Sequence, residues 1–457
     1  MKVTLISGPN KNPIDISIGS ARTCYSKTLK LPEEISNWEP KINLAKDLLK
    51  SGHHTTLQHT YFTFALEDIS RLSIWKFFHN HRFYNSDQIS QRYAKINSET
   101  FYLEDSLNNK EDISNLNKKL IKNYELLIDI LEKEYLNSDN KVERKIARKK
   151  AMENARYILP QSIFANMYHT INLSVLLRYY SVSESINEAT NEISNIINKM
   201  VNEVIKEYPE TKELFNIVKK EEKKIDILDK NLFNYDKSSI KNVSLFNISE
   251  NKPIFNGDYK FYSNSTGNYS LFATEETTAT FTFKFNLSLS ADAQNQRHRT
   301  SIGLRPNLFN EINSIKNKED FIKRNYIPEI FLKNKEAKKI FSSSLIDIFN
   351  ILKVTDINYA PYLLPNSFLI TILETTNFSD FAHKAKMRLC LNAQEEIRYI
   401  TEYMVESLNQ NNIDCSLFVP PCVSRFLSNK KPICPEGDRF CGIKEWKKEK
   451  YENLVKF

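Results

Sequence analysis

The residues best suited to chemistry are Gln294-Asn-Gln-Arg297-His298-Arg299. Three adjacent cationic or potentially cationic groups repel one another, and an anionic ligand would offset that repulsion. The competing reading is an exposed basic turn, because charge runs are commonly just solvated. Residue types alone weigh the two about evenly. A second cluster, Gln88-Ile-Ser90-Gln-Arg92-Tyr93, offers a guanidinium and a hydroxyl, the donor types that hold a phosphate. Read alone, it is a polar loop with an ordinary arginine. His53, His54 and His59 fall close together, but no cysteine or acidic partner lies nearby, so they are weak grounds for a metal. The tail carries Cys415, Cys422, Cys434 and Cys441, spaced Cys-x6-Cys-x11-Cys-x6-Cys. Such a group suggests a structural zinc. No pair has the tight spacing usual for zinc, and free or disulfide-forming thiols are the alternative. Cys24 and Cys390 read as ordinary buried thiols.

The elements that must carry these residues are partly visible. Phe281, Phe283, Phe285, Leu287 and Leu289 alternate with Thr280, Thr282, Lys284, Asn286 and Ser288, which predicts a half-buried strand. Ser290 and Asp292 then offer helix-start oxygens, so a short helix delivers Arg297-His298-Arg299 at its far end. The arrangement occurs twice. Tyr61 to Leu66 alternates in the same way, and a helical stretch from Ile69 ends in Asn80-His81-Arg82. Tyr157-Ile-Leu-Pro160 matches Tyr362-Leu-Leu-Pro365, and Asn172 matches Asn377, both at an offset of 205. Glu192-Ile193 matches Glu396-Ile397 at an offset of 204. Ordered landmarks at nearly constant spacing indicate a tandem duplication. Helices are expected at 34–51, over much of 104–156, and at 184–208. Residues 255–271 read as loops or short strands.

Composition narrows the function classes. The chain has 457 residues, 41% hydrophobic and 26% charged, as in an ordinary globular protein of two domains. No apolar run is long enough to span a bilayer, and the first residues read as a strand rather than a signal peptide. A cytoplasmic protein is expected. Eight glycines and the lack of a Gly-x-Gly-x-x-Gly argue against a Rossmann-type dinucleotide cradle and leave phosphate binding to arginine side chains. A net charge of +8 suits anionic ligands.

The ordered motifs resemble the flavin-dependent thymidylate synthase family, present here as two tandem copies. That family opens with Gly-His-Glu-Thr/Ser and Phe-Thr-Phe. Arg-His-Arg, Ser-x-Arg-Tyr, Ala-Arg-x-x-Leu-Pro, Asn-x-Arg and Ala-Gln-x-Glu-Ile-Arg follow. The resemblance implies an α+β fold: two domains, each a mixed or antiparallel sheet packed with helices. It places them at 1–215 and 246–410, with a linker at 216–245 and a cysteine-containing tail at 411–457. It implies methylation of dUMP to dTMP, with methylenetetrahydrofolate as carbon donor and NADPH-reduced FAD as hydride donor. By resemblance, dUMP is held by Gln88, Ser90, Arg92, Tyr93, Arg156, Gln294, Arg297 and Arg388. Of these, Ser90, Arg297 and Arg388 are the catalytic candidates. FAD is held by His53, Asn172, Arg297, His298, Arg299 and Asn377.

The two copies depart from the family in complementary ways. The first keeps His53, Ser90, Arg92, Tyr93 and Arg156 but has Phe77 and Asn80 where the second has Gln294 and Arg297. The second keeps Arg388 but has Gly303-Leu-Arg305 for Ser-x-Arg-Tyr and Pro361 for Arg156. Each productive site is therefore expected to combine a phosphate half from copy one with a flavin half from copy two. A homodimer would then mimic the family's tetramer. Two rival readings remain: a flavin- or nucleotide-binding relative without synthase activity, and a single-strand nucleic-acid-binding protein using basic charge and aromatics.

Overall fold

A computed structural model describes residues 1–92, 94, 96, 101–138, 144–221, 233, 236, 237, 239–249 and 279–454. They build two four-stranded antiparallel sheets of the same topology. The first contains β1 (Lys2–Ser7), β2 (Tyr61–Ser70), β3 (Asn85–Gln88) and β4 (Phe164–Asn172), in the order β1-β2-β4-β3. The second contains β5 (Val243–Ile248), β6 (Thr280–Ser288), β7 (Ile302–Leu304) and β8 (Leu369–Asn377), in the order β5-β6-β8-β7. Phe62, Phe64 and Leu66 on β2 are fully buried, as are Phe283, Phe285 and Leu287 on β6. One face of each central strand thus supplies the apolar surface that drives packing. Buried apolar residues of both halves form one continuous core. Among the described residues, no helix is long and apolar enough to cross a membrane.

The expected elements need several corrections. Proline cannot continue a helix from its N-terminal side, and Pro40 divides the expected helix 34–51 into Pro32–Ser36 and Lys41–Lys50. The helix expected from 184 begins at Thr190, after Ala189 in a left-handed conformation. The helix after β6 spans Leu289–Asn295 and is capped by Ser288, whose hydroxyl accepts from Ala291 N–H at 3.1 Å. Ser290 and Asp292 therefore lie inside that helix. Asn286 and Ser288 are also buried, so the polar face of β6 enters the interior at its far end. β5 begins within the stretch expected as linker, and residues 255–271 lie outside the described set. The first copy has two more residues than the second between its Phe-Thr-Phe and its cationic turn. A bulge in β2 at Asp68 and a π-helical turn at Ile74–Phe78 fit that difference, each adding about one residue.

The halves meet about an approximate two-fold axis. Pro160 and Pro365, equivalent residues, form a bridge with each other. Ser162 N–H donates to Tyr362 O at 2.8 Å, and its counterpart Ser367 N–H donates to Tyr157 O at 3.0 Å. Gln161 N–H donates to Leu364 O and Asn366 N–H to Leu159 O, at 3.0 and 2.8 Å. The side chains of Gln161 and Asn366 bond each other at 2.9 Å. This reciprocity is what an isologous subunit interface shows, here within one chain. Two buried carboxylates complete it. Glu396 accepts from Tyr157 OH at 2.5 Å, and Glu192 accepts from Tyr362 OH at 3.0 Å. Burial raises the pKa of both carboxyls, while the serines and tyrosines donating to them oppose the rise.

Each tyrosine thus closes the other copy's carboxylate. Tyr157→Phe and Tyr362→Phe are each expected to destabilise the chain by about 2 kcal/mol, because a buried acceptor loses a charge-assisted donor. Denaturant unfolding checks this. A loss in only one of the two variants would contradict the two-fold description.

Candidate active site

Two arginines of the first copy reach into the second. Arg92, on the segment leaving β3, pairs with buried Glu153 and donates through Nη2 to Asn392 O at 2.9 Å. Arg156 opens the short turn before Leu159-Pro160 and is 4% exposed. Its Nη2 donates to Gln394 Oε1 at 2.9 Å. That same oxygen accepts from Gln294 Nε2. Gln394 Nε2 in turn donates to Tyr157 OH. Arg388, the last residue of the helix Phe378–Arg388, donates to Gln294 O at 2.8 Å. One amide, Gln394, therefore joins Arg156 of the first copy to Gln294 of the second.

The cationic turn is pinned from both sides. Asn295 Nδ2 donates to Glu374 Oε2 at 2.6 Å, and Gln296 Nε2 donates to Trp75 O at 2.8 Å. Held there, the turn lies along β3 of the other copy. Arg297 donates to Asp87 Oδ1 at 3.2 Å and Arg299 to Asn85 Oδ1 at 2.7 Å. The Arg299 guanidinium also sits 4.7 Å from the Tyr84 ring centroid, a cation–π contact.

Charge is in surplus here. Burial, reinforced by Arg92 and Arg297, pushes the Arg388 pKa down to about 10. Burial and Arg156 push Arg71 down to about 9, and burial also lowers Arg156. His298 is held well below the usual imidazole range by burial, then by Arg388, Lys384 and His383, so it is neutral at pH 7. Against six arginines, the cluster's ion pairs among the described residues include Arg92 with Glu153 and Arg297 with Asp87. Several polar atoms are also buried without a hydrogen-bond partner: Gln88 Oε1, Arg156 Nε, His298 Nε2, Arg299 Nε and Arg388 Nε. Buried donors without acceptors are costly. The three unpartnered guanidinium nitrogens, beside excess positive charge, fit an anionic, oxygen-rich ligand, whereas Gln88 Oε1 is an acceptor and calls for a donor.

The structure thus brings together Gln88, Arg92, Arg156, Gln294, Arg297, His298, Arg299 and Arg388. Ser90 is adjacent and accepts from Arg92 N–H at 3.2 Å. Tyr93 lies outside the described residues. His53 is exposed, on the turn entering β2 at the end opposite Ser70. A ten-residue strand spans about 30 Å, so His53 is remote from Arg92 and Arg156. Asn172 lies at that same end, paired with Tyr61, and caps a helix by accepting from Val175 N–H at 3.0 Å. Asn377 does the same for Asp380 N–H at 2.8 Å.

The expected cysteine quartet is corrected. Cys415 turns away, its Sγ directed at Val405 O and Ile413 O at 3.6 and 3.3 Å. Cys24, expected to be buried, is exposed. Among the described residues, no group of three or more His, Cys, Asp or Glu side chains is gathered as a metal site.

Sequence reasoning missed Arg71, Glu153 and Asn392, and it saw Gln394 only as part of a motif. Arg71 carried one signal, a charge inside the apolar run Ile69 to Trp75. The equivalent place in the other half keeps a cavity of about 520 Å³ lined by Asn80, His81 and Tyr179, with its cation paired internally. Arg305 makes a two-pronged ion pair with buried Asp292 at 2.6 and 2.8 Å and reaches Asn80 Oδ1 at 3.2 Å. His81 meets Tyr179 OH at 2.5 Å, and Tyr179 also meets His169 at 3.0 Å.

A site built for an external anion should not be needed for folding. Arg388→Met is expected to melt at the wild-type temperature or about 1–3 °C above it, because a desolvated cation is removed. It should weaken binding of a phosphate-bearing anion at this site by at least about 30-fold. Thermal melts and calorimetry check both. A large fall in melting temperature would make Arg388 a structural strut instead.

Comparison with known proteins bears on this geometry. The sequence profile described as thymidylate synthase complementing protein matches residues 5–210 and again 265–411. A flavin-dependent thymidylate synthase of Clostridium tetani is 30% identical over 176 residues, 37% of this chain and 69% of that protein. Another, of Thermosipho africanus, is 26% identical over 170 residues, 36% of this chain and 70% of that protein. A solved flavin-dependent thymidylate synthase of Helicobacter pylori, complexed with FAD and dUMP, aligns with 48% of this chain and 100% of its own at 18% identity and a TM-score of 0.36. With both halves matched, the chain belongs to the thymidylate synthase complementing protein family, that of the flavin-dependent thymidylate synthases, as two tandem copies.

Proposed function

We propose that this chain methylates dUMP to dTMP at a site shared by its two copies, with methylenetetrahydrofolate as carbon donor and NADPH as reductant. The observation that carries this is the sharing of Gln394 by Arg156 and Gln294, with Arg92, Arg297 and Arg388 around it. The first copy supplies Gln88, Ser90, Arg92, Tyr93 and Arg156 for the phosphate and sugar. Guanidinium and hydroxyl donors there replace the water lost by a phosphate dianion. The second copy supplies Gln294, Arg297 and Arg388 for the pyrimidine. Charge builds on the uracil carbonyls as its reacting carbon becomes nucleophilic, and a preorganised guanidinium at Arg388 stabilises that charge without reorganisation. When bound, FAD supplies the hydride. His298 and Arg299, each with a buried ring or guanidinium nitrogen without a partner, are the residues of this chain that fit it. Orientation of these partners is the chain's main contribution, since no protein nucleophile is required.

The flavin contacts expected at His53 and Asn172 lie at the other end of the first sheet. Their use at this site calls for a second chain, in keeping with a homodimer. Light scattering should then give twice the chain mass of 53.5 kDa. Anaerobic reduction by NADPH, followed by dUMP and methylenetetrahydrofolate, should yield dTMP. Bound flavin without dTMP would favour a relative that binds but does not methylate.

The two nucleotide-binding halves face each other within one chain, so a second chain would add flavin contacts only. Arg92→Ala and Arg297→Ala proteins should each lose at least about 100-fold in kcat/KM. Mixing them, even with subunit exchange, should restore nothing. Recovery of dTMP formation in the mixture would show that the halves combine across chains.

A further inference from the structure

Four cysteines from three segments line one cavity of about 20 Å³. Cys390 follows the helix Phe378–Arg388, Cys422 lies in the helix Pro421–Leu427, and Cys434 and Cys441 come from the turns after it. Cys422 is within electrostatic reach of the other three. The space suits a single ion and is far too small for an organic cofactor. All four are free thiols, so no disulfide explains the gathering. Cys441 Sγ is directed at Ile443 O at 3.7 Å, across the left-handed turn at Gly442, φ +81°.

We propose that Cys390, Cys422, Cys434 and Cys441 hold one structural zinc ion that clamps the C-terminal tail to the loop Leu389–Gln394. This set replaces Cys415 of the sequence pattern with a cysteine from the second copy. The sulfurs are not yet gathered at bonding distance, so the ion draws them in to about 2.3 Å, coupling metal binding to closure of the tail. Four S–H bonds break, four Zn–S bonds form, and four protons leave to solvent, with no change of oxidation state. The clamp has a consequence for the shared site. Asn392 Nδ2 donates to Arg439 O of the tail at 2.5 Å, while Asn392 O accepts from Arg92 and Gln394 accepts from Arg156. The tail therefore braces the loop that joins the two half-sites.

The zinc content of the full chain, expressed with added zinc and dialysed, tests this without any activity assay, so its failure is distinct from failure of the synthase reading. About one zinc per chain is expected by elemental analysis. Cys390→Ser and Cys434→Ser should lose it, and Cys415→Ser should keep it. Where a variant misfolds, cobalt substitution decides instead: tetrahedral bands and charge transfer from four thiolates should appear in the wild type and persist in Cys415→Ser. No metal in the wild type, or loss in Cys415→Ser with retention in Cys390→Ser, would overturn the assignment.

Discussion

The structure depends on the reciprocal pairing of its two Leu-Pro turns. Around Pro160 and Pro365, equivalent peptide groups satisfy each other, and each tyrosine closes the opposite buried carboxylate. Such pairing is costly to leave half made, because every member is desolvated. It fixes how one copy faces the other. Arg156 directly precedes Tyr157, and Gln394 lies two residues before Glu396, so the pairing also sets the distance between the half-sites.

That geometry lets charge accumulate where it could not otherwise persist. Arginines from both copies crowd a partly buried space with few carboxylates to answer them. The chain tolerates the stress because it is anchored elsewhere. Glu374 carries Asn295 and also pairs with buried Lys384, so the cationic turn does not relax away. In the other half, Arg305 pairs with Asp292 and His81 with Tyr179, beside a cavity of about 520 Å³. The arginine surplus therefore falls at one of the two locations.

Much of this was legible in the sequence. The period-two alternation of Phe281, Phe283, Phe285 and Leu287 marked β6, and the ordered repeats marked the duplication. Complementary losses anticipated that Arg92 and Arg156 would meet Gln294 and Arg388. The failures have physical reasons. Ser288 reads as the polar face of a strand, so its capping role was hidden. Pro40 interrupts an amphipathic pattern whose apolar spacing continues past it. Arg71, Glu153 and Asn392 have no motif of their own. Their roles come from partners distant in sequence, as between Arg92 and Asn392, 300 residues apart. Cys390 reads as an ordinary buried thiol because it stands outside the tail pattern, yet it lines the same cavity as Cys422, Cys434 and Cys441.

The central claim is that the two copies make one nucleotide site, and equilibrium binding of dUMP to the purified chain tests it most directly. The account predicts one dUMP per chain, with binding lost alike in Arg156→Ala of the first copy and Arg388→Ala of the second. Two dUMP per chain, with each substitution removing only one of them, would contradict it.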